Sequence, residues 1–63
     1  MREMLDEIKQ LVEKFGNPIR LEVLYDELMK KGYSPRYIRK TLQYWNGLKL
    51  KVKDFVSVEL VEE

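Results

Sequence analysis

The chain has 63 residues, with 12 Lys or Arg, 11 Asp or Glu, a formal net charge of +1, and neither Cys nor His. That length holds one domain, residues 1–63, with no room for a second core. The missing Cys and His exclude disulfides, thiol and imidazole catalysis, a serine–histidine triad and the usual zinc spacings.

Residues 2–15 predict an amphipathic helix, because Met4, Leu5, Ile8, Leu11, Val12 and Phe15 recur at spacings of three and four. "GNP" at 16–18 stops it, with Gly16 as C-terminal cap and Pro18 unable to continue. Ile19 and Arg20 read as a very short extended segment. A second helix follows from Leu21 to Lys31, with Leu21, Leu24, Tyr25 and Leu28 as its stripe and no good N-cap side chain. Gly32 is its expected C-cap. The third helix has the clearest signals: Ser34 as N-cap, Pro35 at the first helical position, Tyr33 placed to staple onto Ile38, and Asn46–Gly47 to close it. The short link between helices two and three fits a helix-turn-helix corner.

From Leu48 the period changes to two, as in half-buried strands: "LKLKV" and "VSVEL". A loop centred on Asp54 pairs Val52 with Val56, Leu50 with Val58 and Leu48 with Leu60 on one face, and sets Lys49 opposite Glu59 on the other.

The near-neutral total conceals a segregation. Residues 30–53 contain Lys30, Lys31, Arg36, Arg39, Lys40, Lys49, Lys51 and Lys53 and no acid, while both flanks are net acidic. No apolar run approaches the roughly 20 residues that cross a bilayer. The start "MREMLDEIKQ" mixes acids into apolar positions, unlike a signal or transit peptide. A cytoplasmic location with no membrane partner is expected, and the lack of cysteine is compatible with a reducing compartment. Charged residues make up 37%, well above the usual quarter, which points to a thermophilic source.

The order helix, helix, helix, β-hairpin and the pattern "LYDELMKKGYSPRYIRKTLQYWNGL" resemble the winged helix-turn-helix superfamily over nearly the whole chain. Stand-alone archaeal regulators look similar, and so does the C-terminal winged helix of archaeal minichromosome maintenance helicases. The resemblance implies an α+β fold, three helices with a C-terminal two-stranded wing, and a third helix that enters the major groove of DNA.

On a helical wheel Ile38, Leu42 and Trp45 share the core side of helix three. The opposite side carries Arg36, Lys40, Gln43 and Tyr44, flanked by Arg39 and Tyr37. Arg and Gln suit base edges, and Lys and Tyr suit phosphates. With Lys49, Lys51 and Lys53 of the hairpin, these nine residues are the expected DNA-binding set. Phe55 is either a wing-tip contact or, as we expect, a residue folded back onto the core.

Duplex DNA is the expected partner, in transcription or replication. The alternative is a winged helix that binds other proteins, its basic face merely solvated. The apolar stripe of helix one, with Met1, also suggests a homodimer. No catalytic residues, metal, cofactor or small-molecule substrate are expected. The acids read as solvated helix faces, three short helices offer little cleft for a carboxylate pair, and no Gly-rich phosphate loop is present.

Overall fold

The structure is a computed structural model that describes residues 2–61. Among these residues it contains helix α1 (Arg2–Phe15), strand β1 (Ile19–Arg20), helices α2 (Leu21–Lys30) and α3 (Pro35–Trp45), and strands β2 (Leu50–Lys53) and β3 (Ser57–Leu60). The chain is thus an α+β domain with a three-stranded antiparallel sheet in the order β1-β3-β2.

The helix ends follow their local signals. α2 closes in a Schellman motif: the Gly32 N–H donates to the Met29 carbonyl at 3.0 Å, and the Tyr33 N–H donates to the Leu28 carbonyl at 3.2 Å. Gly32 sits at φ 101°, a conformation that side chains disfavour. α3 opens on Ser34, whose Oγ accepts the Tyr37 N–H at 3.2 Å, with Pro35 as its first residue. Tyr33 packs against the core and stacks on the Tyr37 ring, with centroids 5.9 Å apart. α2 has no side-chain cap at Arg20. Its first N–H, that of Leu21, donates instead to the Val56 carbonyl of the hairpin loop at 2.8 Å. A distant loop therefore supplies the partner that the local sequence lacks.

The sheet departs from expectation in two ways. The C-terminal hairpin is not two-stranded alone, because the short extended segment pairs with β3, Ile19 opposite Val58 and Arg20 opposite Ser57. Asn17 continues that pairing with its side chain: Nδ2 donates to the Leu60 carbonyl at 3.0 Å, and Oδ1 accepts the Leu60 N–H at 2.9 Å. Pro18, which has no N–H, follows it. The hairpin register is also shifted by two residues. Leu50 pairs with Leu60, Lys51 with Glu59, Val52 with Val58 and Lys53 with Ser57. A slip of two preserves the faces, so the apolar set still points inward. Its cause lies in the loop. Asp54 and Phe55 both take positive φ, 51° and 55°, and the Val56 N–H closes onto the Lys53 carbonyl at 2.9 Å. Val56 is left outside the ladder, with its carbonyl on α2.

The core holds Met4, Leu5, Ile8, Leu11 and Val12 of α1 together with Ile19, Leu24, Leu28, Ile38, Leu42, Leu50 and Val58. Trp45 is only half-buried, and its indole Nε1 is enclosed without a hydrogen-bond partner. Thr41 is fully buried on α3, and its hydroxyl donates to the Tyr37 carbonyl at 2.9 Å. The apolar stripe of helix one that suggests a homodimer packs inside the monomer, and among its described residues only Phe15 is exposed. Met1 lies outside the described residues. Among the described residues no helix is long and apolar enough to cross a membrane.

Candidate nucleic-acid interface

α3 contains no acidic residue and buries Ile38, Thr41 and Leu42. Its helical period then turns Arg36, Tyr37, Arg39, Lys40, Gln43 and Tyr44 outward, and all six are exposed. The Ser34 cap and the Schellman turn fix where this face begins, and Asn46 fixes where it ends. The Asn46 N–H donates to the Leu42 carbonyl at 2.9 Å, while its Oδ1 accepts the Val52 N–H of β2 at 3.1 Å. One residue thus ties the end of α3 to the outer edge of the sheet and occupies a hydrogen-bonding group of that edge.

The aromatic members differ in their freedom. Tyr37 is engaged by Tyr33, while Tyr44 meets Trp45 edge-on at 5.1 Å and keeps 55% of its surface exposed.

The hairpin lysines are placed differently from the helix-three residues. Leu50 is buried and Val52 half-buried on the inner face of β2, so Lys51 and Lys53 project from the outer face, away from the helices. Lys49 is exposed in the turn just before the strand. The positive charge therefore forms two patches, one on α3 and one around β2. Lys51, not Lys49, stands opposite Glu59, and Lys53 takes the ion pair with Glu59 at 3.0 Å.

Ion pairing sorts the eight cations of residues 30–53. Lys30 bonds Glu27 at 3.3 Å and lies 3.6 Å from Asp26. The Glu27 hydrogen bond, with the charges of Glu27 and Asp26, raises the pKa of its ammonium above the ordinary value. Because that pKa is raised in the folded chain, the pair contributes its full stability at neutral pH and loses it only as alkaline pH passes the raised value. Lys31 reaches Glu7 of α1 at 3.4 Å. Arg36, Arg39, Lys40, Lys49 and Lys51 have no acidic partner among the described residues. The cations at the end of α2 are neutralised within the fold, and those of α3 are not.

Beside this face lies a feature that the sequence reading missed. A pocket of about 160 Å³ opens between α3, the start of α2 and the hairpin, lined by Leu21, Tyr25, Arg39, Leu42, Gln43, Asn46, Val52 and Phe55. Tyr25 reads as a core residue in the stripe of α2, yet it is half-buried at this wall. Phe55 does not fold back onto the core: it is 86% exposed at the hairpin tip. The left-handed loop that displays it could not be read from hydrophobic alternation. Among the described residues no cluster of acidic side chains could hold a metal ion. No protein family, curated protein or solved structure in the comparisons matches this chain.

Proposed function

We propose that this chain is a winged helix-turn-helix domain that binds duplex DNA, with α3 in the major groove and the hairpin against the backbone, as a transcriptional or replication-associated factor. The observation that carries the reading is the one-signed face of α3, where Arg36, Arg39 and Lys40 are exposed and unpaired among the described residues. A face of like charges is self-repelling, and a polyanion relieves that repulsion while its counterions are released. Arg36 and Gln43 suit base edges, and Lys40 and Tyr44 suit phosphates. Lys49 and Lys51 supply backbone contacts from the second patch, while Lys53 is already held by Glu59.

A mobility-shift comparison of duplex DNA, single-stranded DNA and RNA tests the reading. Retardation of the duplex that weakens steeply with salt supports it. Failure to retard any of the three overturns it.

A second reading rests on a different surface. Phe15, Val23 and Met29 line a groove that also carries Glu22, Asp26 and Glu27, and Phe15 and Met29 are exposed. An apolar groove with acidic residues suits a protein partner with a basic, apolar segment. A complex with such a partner that persists at high salt would favour this reading.

A further inference from the structure

We infer that the pocket between α3 and the hairpin tip receives a single unpaired nucleobase, stacked on Phe55, so that the domain prefers DNA with an unpaired position over continuous duplex. The inference rests on the DNA reading and names its substrate more narrowly. Its first support is size. Pockets for drug-sized ligands run from roughly 300 to 1,000 Å³, so about 160 Å³ suits one planar ring rather than a larger ligand.

The second support is the lining. Leu21, Leu42 and Val52 offer apolar walls, and Tyr25 and Phe55 offer rings. The Tyr25 hydroxyl, the Arg39 guanidinium and the Gln43 amide have no hydrogen-bond partner among the described residues. An aromatic face with unused donors and acceptors at the rim matches how unpaired bases are held: stacking supplies affinity, and edge contacts supply selection.

The third support is charge. No acidic residue lines the pocket, and Arg39 belongs to the same unpaired cationic face as Arg36 and Lys40. The phosphates on either side of a captured base would lie against that face. An apolar side chain of a partner protein would need none of this charge.

The fourth support is Phe55 itself. A bulky residue at φ 55° is an outlier, and here it is also an aromatic ring left almost wholly in water. Backbone strain that displays an exposed ring at a pocket mouth is the kind that accompanies ligand contact.

The test uses two DNA duplexes of one sequence, one fully paired and one with a single bulged 2-aminopurine, whose fluorescence falls when it stacks. The wild type should bind the bulged DNA at least about tenfold more tightly, the increment of one base–aromatic stack, and should quench the probe. Phe55→Ala should abolish both the preference and the quenching and leave affinity for paired duplex unchanged. Phe55→Trp should retain both. Phe55 is exposed, so its truncation leaves the core intact. Equal binding of the two duplexes by the wild type, or a preference that survives Phe55→Ala, overturns the inference and leaves duplex binding standing. Binding to neither DNA overturns both readings and leaves the pocket to a partner protein's side chain.

Discussion

α1 and α3 are both amphipathic helices, and they use their polar faces in opposite ways. α1 buries Met4, Leu5, Ile8, Leu11 and Val12 and carries both signs of charge along its outer side, with Glu7 pairing to Lys31. α3 buries three side chains and turns Arg36, Arg39 and Lys40 outward without an acid on the helix. A face of mixed sign carries little self-repulsion, and Glu7 already has its partner in Lys31. A single-sign face raises the energy of the folded chain slightly, and the fold does nothing to offset it. Amphipathicity by itself indicates packing on both helices, and it is the sign pattern of the polar side that distinguishes them.

The sharpest way to break the comparison is to cut each helix on its buried side. Ile8→Ala on α1 should cost about 2–5 kcal/mol, a large share of the stability of a domain this small. Urea denaturation would show it as a lowered midpoint. A midpoint near that of the wild type would mean that α1 is not the support described. Next comes Trp45, which is half-buried with an orphaned indole N–H. Trp45→Ala should cost about 2 kcal/mol, below the range for a fully buried ring. Trp45→Phe should be nearly neutral, because it removes the unsatisfied donor along with some contact area. Thermal melting of the pair checks this, and equal losses for both would contradict the placement of the indole.

Two smaller tests address side chains that hydrogen-bond backbone at the ends of elements. Asn17→Ala should cost about 1–2 kcal/mol through its two hydrogen bonds to Leu60, and hydrogen exchange at Leu60 should accelerate. Ser34→Ala should cost about 1 kcal/mol by uncapping α3, which circular dichroism and melting would report. At the foot of the scale, exchanging surface charges should move stability by no more than about 0.5 kcal/mol and separate the helices by binding alone. Glu3→Gln on α1 should leave DNA affinity intact. Lys51→Ala should reduce the salt dependence of binding by about one unit. Lys53→Ala should reduce it less, since Glu59 already holds that ammonium.

Much of this was legible in the sequence because its signals are local. The cap Ser34, the turn Gly32 and the stripe Ile38–Leu42 bound α3 and fix which side of it faces out. What the sequence did not disclose depends on contacts between distant residues. Leu21 draws its capping carbonyl from Val56, Asn17 replaces a strand residue opposite Leu60, and β1 joins β3 across most of the chain length. Alternation settles which face of the hairpin is apolar but is blind to a slip of two. Register therefore turned on two non-glycine residues in the left-handed conformation, which alternation does not announce. The same loop turned Phe55 outward and opened the pocket beside Arg39 and Gln43.

The central claim is that the unpaired cations of α3 exist to meet phosphate and base edges. The most direct test is the affinity for fully paired duplex DNA across a salt series, for the wild type and the Arg36→Ala, Lys40→Ala double variant. Neither residue touches the core, so the variant should melt as the wild type does. The account predicts a large loss of affinity at low salt, with the log–log slope shallower by about one unit for the phosphate contact of Lys40 and the loss of Arg36 falling on base-edge contact. Equal affinities and equal slopes would contradict it, leaving the basic face as solvated surface.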